Sequence, residues 1–346
     1  MFSRHRSKES ERSILKFKKF IKNNSFILLI IAVLIFSIAF PKAGLFVKGA
    51  GWTNYLTFIA MFASGLGLSF SNIKDGFTDY KSILYSFFSI FLIFPLITIG
   101  IMMVINTTSG DIFVGSMILA AQSSTLASAV VLTATANSNV PLALIITIIN
   151  NMASAVLTPL ILKATLSLDE TISIDVGAMI IKLLLVLVLP VILAQIARKF
   201  LGGFVAKINK YRKMVSKFVV LVIVLTGAAA ASSKLLENLG IAALIILLVA
   251  ALHIIMLLIS SLYIKIAKVK QESKAAVLFT STQKTLPASL LIWDSYFSAY
   301  ALAPILLVLH HMTQLIIDSI VVSKLVKKSA KTDEPGKLSN DGDSEK

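Results

Sequence analysis

Apolar runs of about 17–25 residues recur along the chain, each long enough to carry a helix across roughly 30 Å of hydrocarbon. A segment in lipid must pair its own backbone N–H and C=O groups, which a helix does within itself. The centres of these runs fall near Val33, Ala63, Leu92, Leu126, Ile148, Val186, Val222, Leu247, Leu286 and Leu309, about ten spans in all. Hydrophobic residues make up 57% of the chain and charged residues 14%, with a mean hydropathy of +0.88. Those values exclude an ordinary soluble domain. The chain has no cysteine, which excludes disulfides, thiolate metal sites and cysteine nucleophiles.

A formal charge of +16 would point to nucleic acid in a soluble protein. Here its distribution points to a membrane, and no nucleic-acid partner is expected. Basic residues gather in the first 24 positions (Arg4, Arg6, Lys8, Arg12, Lys16, Lys18, Lys19, Lys22), between residues 198 and 217, between 265 and 274, and after 324. With ten spans and a cytoplasmic N-terminus, all four clusters lie on the cytoplasmic side. The opposite loops keep Lys42, Lys48, Lys163 and Lys234 beside Asp111, Asp169, Glu170, Asp175, Glu237 and Asp294. Shifting the count by one span scatters the charge over both faces, so the positive-inside asymmetry predicts a multi-pass protein of the cell membrane with both termini cytoplasmic. Residues 1–24 read as a basic cytoplasmic tail, and residues 326–346 as a disordered polar one. The 198–217 loop is mostly a topology signal, with anionic membrane lipid as its secondary partner.

Two polar stretches interrupt this apolar pattern: "QSSTLASAVVLTATANSN" at residues 122–139 and "STQKTLPAS" at residues 281–289. The second places Lys284 inside a span, three residues before Pro287. An ionisable group at mid-bilayer costs at least about 2.5–3.5 kcal/mol on insertion scales, so it is functional by default. The breaks fall in spans four and nine, five spans apart. A five-span unit repeated in tandem must insert its second copy upside down, and broken helices at matching positions of inverted halves mark a carrier's binding site. The expected fold is therefore all-α, about ten transmembrane helices in two inverted five-helix repeats, residues 25–165 and 176–325, joined through the acidic loop at 169–175. Span five carries Asn150 and Asn151, and span ten carries His310, His311, Thr313 and Gln314 at the corresponding place. Such groups either bind or hydrogen-bond between helices.

With "GLGLSF" (residues 65–70), "SSTLASAVVLTATANSNVPLAL" (123–144), "TPL" (158–160) and "STQKTLPASLLIW" (281–293), the chain resembles the bile acid:sodium symporter family, in its bacterial bile-acid-symporter-like branch, over roughly residues 25–325. The resemblance implies panel and core domains, with spans four and nine unwound and crossing near the bilayer centre. It implies Na⁺ ions beside the crossing and an organic anion in the cavity facing it. By position, Ser128, Thr133 (or Thr135, given a one-residue offset) and Gln283 match family Na⁺ ligands. The chain departs from the pattern at Ala129, where an asparagine is expected, and at Phe279, where a glutamate is expected. No Gln or Glu stands in the third span.

The candidate ion and substrate groups are hydroxyls in the first break (Ser124, Thr125, Ser128, Thr133, Thr135), groups in the second (Ser281, Thr282, Gln283, Lys284, Thr285), and the amides Asn150 and Asn151. Hydroxyls and unwound carbonyls suit Na⁺, but a cavity carboxylate is missing: Asp318 is expected near the inner end of span ten, and Asp111 and Asp294 near outer ends. Lys284 beside such a site repels a cation. The sharper alternative has Lys284 stand in for the cation and attract an anion, with H⁺ coupling or uniport. The blander one has it cap carbonyls of the broken helix. A secondary carrier of a small organic anion is the favoured reading, coupled to Na⁺ or H⁺ and needing no cofactor. A non-transporting membrane regulator is the rival. An enzyme is not expected, because adjacent His310 and His311 point about 100° apart and Asp318 lies about two turns away. Gly65 and Gly67 are expected at close helix contacts, Pro95, Pro190 and Pro304 at kinks, and Trp52 and Trp293 in an interfacial belt.

Overall fold

The computed structural model describes residues 25–26, 28–68, 76–107, 110–166, 173–237 and 239–332. The 1–24 tail, the last residues of the C-terminal tail, the end of "GLGLSF" and most of the expected join at 169–175 lie outside the described residues. What is described is helical, with no strand among the described residues. The helices are α1 (Leu28–Ala39), α2 (Pro41–Gly49), α3 (Thr53–Gly65), α4 (Tyr80–Val104), α5 (Gly110–Ala121), α6 (Ser128–Thr135) and α7 (Val140–Leu166). They continue with α8 (Val176–Phe200), α9 (Gly202–Glu237), α10 (Leu239–Ile266), α11 (Lys274–Thr282), α12 (Leu286–Tyr296) and α13 (Ala303–Thr332).

Among the described residues six helices are long and apolar enough to cross a membrane, in α4, α7, α8, α9, α10 and α13, and the pair α1 and α2, bent by 92°, makes seven if it is counted as one span. At the other expected spans the helices are shorter: α3 alone, α5 followed by α6, and α11 followed by α12. Pro41 opens α2 at its first turn, where the missing N–H does no harm, and so turns the chain after Phe40. Residues 122–127 separate α5 from α6, and residues 283–285 separate α11 from α12. Pro287 again lies in the first turn of the resumed helix.

Proline also explains the two π turns. Ser89–Ile93 in α4 runs into Phe94 and Pro95, and Leu184–Val188 in α8 runs into Leu189 and Pro190. A proline inside a helix cannot donate, and the ladder widens just before it. Pro304 is a correction: it stands in the first turn of α13 and starts that helix rather than kinking it.

α9 packs against α2 and α3, and α8 against α3; a second group joins α10 to α13 and α11, α5 to α7 and α13, and α6 to α11. Lipid tails are as apolar as leucine, so close van der Waals fit rather than water exclusion holds such helices together. Gly65 supplies one such fit: a Cβ there would stand 2.8 Å from the Ala194 Cβ and 3.1 Å from the Val191 Cα of α8. The basic stretch at 198–217, expected as a loop, instead forms the end of α8 and the start of α9, and it contributes to the same contact, with Arg198 donating to the Leu66 carbonyl and Arg212 to that of Ala63 at the end of α3. Leu92, Leu185, Leu247 and Phe218 are exposed, an apolar outer surface that belongs to a multi-pass membrane protein. Trp52 is exposed, but Trp293 is buried, donating to the Tyr300 carbonyl at 3.0 Å beneath Lys48. Trp293 therefore corrects the expected interfacial belt.

Candidate functional site

The two breaks meet. The Thr285 N–H, in the second, donates to the Ser123 carbonyl, in the first, at 3.0 Å. α7 braces the first break: Asn151 accepts from the Ser123 hydroxyl at 2.9 Å and donates to the carbonyls of Ser124 (2.9 Å) and Thr147 (2.7 Å). Thr158 donates to the Ala121 carbonyl at 2.7 Å. Gln314 of α13 braces the second, accepting from the Lys284 N–H and donating to the Lys284 carbonyl, each at 3.0 Å. Unwinding frees backbone groups that lipid cannot satisfy, and these amides and hydroxyls satisfy them.

Lys284 is 1% exposed, and its ammonium donates to the carbonyls of Ala120 (2.7 Å), Gln122 (2.8 Å) and Ile90 (2.9 Å). Three protons thus meet three acceptors. Ala120 lies in the last turn of α5, where helix carbonyls lack partners and carry partial negative charge. The Ile90 carbonyl is free for a reason written in the sequence. Within the π turn Phe94 donates to Ser89 instead of Ile90, and the next residue that could reach Ile90 is Pro95, which has no N–H. The Phe94 ring lies below the ammonium, 4.3 Å from centroid to Nζ. Lys284 therefore caps three backbone carbonyls at the breaks, and it is not among the residues that line the cavity.

That cavity, of about 360 Å³, lies between the two packing groups. Ala60, Met61, Ser64, Ser216, Lys217 and Val220 line one side; Thr125, Leu126, Ser128, Thr285, Pro287, His311 and Leu315 line the other. Its wall is mainly apolar with a few convergent polar groups, the usual character of a small-molecule site. Among the described residues, Lys217 is its one ammonium group. At its floor the Thr125 and Ser128 hydroxyls lie 2.6 Å apart, and each donates to Oε1 of Gln283 at 2.7 Å.

Behind Gln283 stands the group the sequence reading lacked. Its Nε2 donates to Oδ2 of Asp318 at 2.6 Å, and Oδ1 of Asp318 faces Nε2 of His253 at 2.9 Å. Both Asp318 and His253 are fully buried. A carboxylate does reach the site, one amide away from the cavity, which corrects the expectation that Asp318 lies clear of it. Phe279, in place of the expected acid, is buried in an apolar cluster with Ala129.

Of the other sequence candidates, the Ser281 hydroxyl donates to the Val277 carbonyl at 2.6 Å and contacts Ser86 at 2.8 Å. Thr282 donates to the Leu278 carbonyl, Thr133 to that of Ala129 and Thr135 to that of Val131. Thr133 and Thr135 point along α6 rather than into the cluster, and Thr135 is exposed; a helical hydroxyl reaches its own preceding turn first. Thr285 lines the cavity. The Ser124 hydroxyl and both side-chain amide atoms of Asn150 are buried without a partner. His253 had no local polar context to single it out, because its partner is on another helix.

The sequence model of the SBF-like CPA transporter family matches residues 24–327. An uncharacterized protein of Pseudomonas aeruginosa is 25% identical over 90% of this chain and 95% of its own length. The "Probable sodium/metabolite cotransporter BASS4, chloroplastic" of Arabidopsis thaliana is 24% identical over 84% of this chain and 70% of its own. The protein of the same description from Oryza sativa subsp. indica is 26% identical over 88% and 76%. The resemblance to bile acid:sodium symporters read from the sequence agrees with the family match, and the family is one of transporters, not enzymes.

Proposed function

Because the chain belongs to the SBF-like CPA transporter family, we propose that it is a secondary carrier of a small amphipathic organic anion, working by alternating access. The observation that carries this reading is the cavity lined from both packing groups at the meeting point of two helix breaks. A site between two bodies is exposed to one side or the other as they rock. Counting α1 with α2, α5 with α6 and α11 with α12 as single crossings gives five crossings up to Leu166 and five from Val176, with the broken one fourth in each set. That order supports inverted repeats, with α1–α3, α8 and α9 as the panel and the remaining helices as the core; the basic clusters support cytoplasmic termini. Lys217 provides the attraction for the anion's head group, and the apolar lining accommodates its body. Half-helix N-termini at the breaks add partial positive charge.

Sodium coupling is the second reading, favoured by the descriptions of the plant relatives. The converging oxygens of Thr125, Ser128 and Gln283 supply three neutral ligands for Na⁺ as a co-transported ion, with Asp318 compensating through the Gln283 amide. Thr133 is turned away from this set.

The test is thermal stabilisation of the purified protein by carboxylates, sulfonates and phosphates of graded apolar bulk, in NaCl and in choline chloride. Amphipathic anions are expected to stabilise the wild type and to lose their effect in Lys217→Gln. A protein indifferent to every anion would overturn the carrier reading, and stabilisation confined to NaCl would favour sodium coupling.

A further inference from the structure

We propose that Asp318 and His253 form a proton-binding site, and that the Gln283 amide transmits its protonation state to the hydroxyls at the cavity floor. The inference rests on the anion-carrier reading and adds the identity of a coupling ion and the residues that hold it.

Asp318 on α13 and His253 on α10 are both fully buried and meet at 2.9 Å. A carboxylate at this depth is costly unless it is paired or protonated. The Asp318 partner selects the Nε2–H form of His253, so Nδ1 is left as an acceptor, and Nδ1 has no hydrogen-bond partner. Nε2 of the buried His310, whose ring meets that of His253 edge-on at 5.8 Å, has none either. The pair therefore keeps an open acceptor for a proton, and one amide, Gln283, links it to Thr125 and Ser128 of the cavity wall.

In the proton step a hydronium ion in the cavity gives H⁺ to Oδ2 of Asp318. One O–H bond forms, water is left, and no electron is transferred. Oδ2 changes from acceptor to donor, and Nε2 of Gln283 loses its acceptor. Rotation of the amide then presents Oε1 to the new O–H and Nε2 to Thr125 and Ser128. Those two hydroxyls, which had donated to Oε1, accept from Nε2 and turn their hydrogens to the cavity. A floor that offered lone pairs now offers donors, which favours an anion. Proton and anion thus load together, and the pair acts through Gln283 rather than by touching the ligand.

The other titratable groups around the pair are accounted for. His310 and His311 lie on α13 itself, and Lys284 in the second break holds its ammonium on three carbonyls. From α4, Tyr85 donates to Ser260 and stacks on Tyr263 of α10. α9 brings Lys217 to the cavity and pairs Lys234 with Asp111 of α5. Lys274 begins α11, Asp294 and Tyr296 end α12, and α6 has no titratable side chain.

The experiment is infrared difference spectroscopy of the full chain in lipid vesicles, with pH stepped to acid and to alkaline values from neutral. The wild type is expected to show a protonated-carboxyl band that Asp318→Asn removes and Asp111→Asn keeps. His253→Gln is expected to change the proton affinity behind that band about tenfold or more. Absence of the band from wild type, its survival in Asp318→Asn, or an unchanged midpoint in His253→Gln overturns the proposal. Should Asp318→Asn not assemble, the wild-type and His253→Gln spectra decide alone. No transported ligand is needed, so an anion that stabilises a protein without the band would overturn the proton site and leave the carrier reading standing.

Discussion

Replacing Lys284 by alanine should convert a sodium-indifferent cradle into a sodium-dependent one. The wild-type ammonium meets the Ala120, Gln122 and Ile90 carbonyls at 2.7, 2.8 and 2.9 Å in a fully enclosed position. Alanine leaves those three acceptors unpaired, at about 1–3 kcal/mol each. That gross loss of about 3–9 kcal/mol is offset in part by release of the ammonium's own burial penalty, several kcal/mol, so the net destabilisation is a few kcal/mol. The emptied space is lined by oxygens at the negative end of α5, and Na⁺ can occupy it. At ten times its dissociation constant, Na⁺ would return about 1.4 kcal/mol, a rise in melting temperature of about 2–4 °C. The assay compares thermal unfolding of wild type and Lys284→Ala in NaCl and in choline chloride at equal ionic strength. No greater NaCl-over-choline gain in Lys284→Ala than in wild type would refute the idea that the lysine stands in for a cation.

Lys217→Gln should remove at least tenfold of anion affinity in a binding titration while leaving the unliganded melting temperature within about 1 °C, because an exposed charge contributes little to stability. Asn151→Leu should destabilise by about 1–3 kcal/mol in thermal unfolding, since it strips donors from the Ser124 and Thr147 carbonyls. Asn150→Leu, which removes an amide with no partner, should be neutral or stabilising in the same assay; a loss as large as that of Asn151→Leu would contradict the distinction. Gly65→Leu should separate α3 from α8 at Ala194 and lower the yield of folded protein, read by size-exclusion chromatography.

The two helix breaks were legible in the sequence because polar residues and Pro287 interrupt apolar runs, and Gln283, Thr125 and Ser128 do come together there. The direction of Lys284 was not legible. Its acceptors come from three separate places, and one of them is free only because Pro95 follows a π turn. Asp318 and His253 escaped for a related reason: residues on α10 and α13 are far apart in sequence, and spacing along one helix says nothing of a partner on another. Trp293 was misassigned because being near a helix end in sequence does not establish exposure; here the chain past α12 folds back so that Tyr300 accepts from the indole. Thr133 and Thr135 shared the composition of the first break but fall within the regular turns of α6.

The most direct test of the carrier reading is the accessibility of the cavity from each face of the membrane. The chain contains no cysteine, so a single Ser64→Cys at the cavity wall reports alone. In sealed vesicles a membrane-impermeant thiol reagent is applied from one face and then, in separate preparations, from the other. Alternating access predicts modification from both faces, with an anion that stabilises the protein shifting the ratio of the two rates. Modification from one face only, unchanged by any such anion, would contradict it.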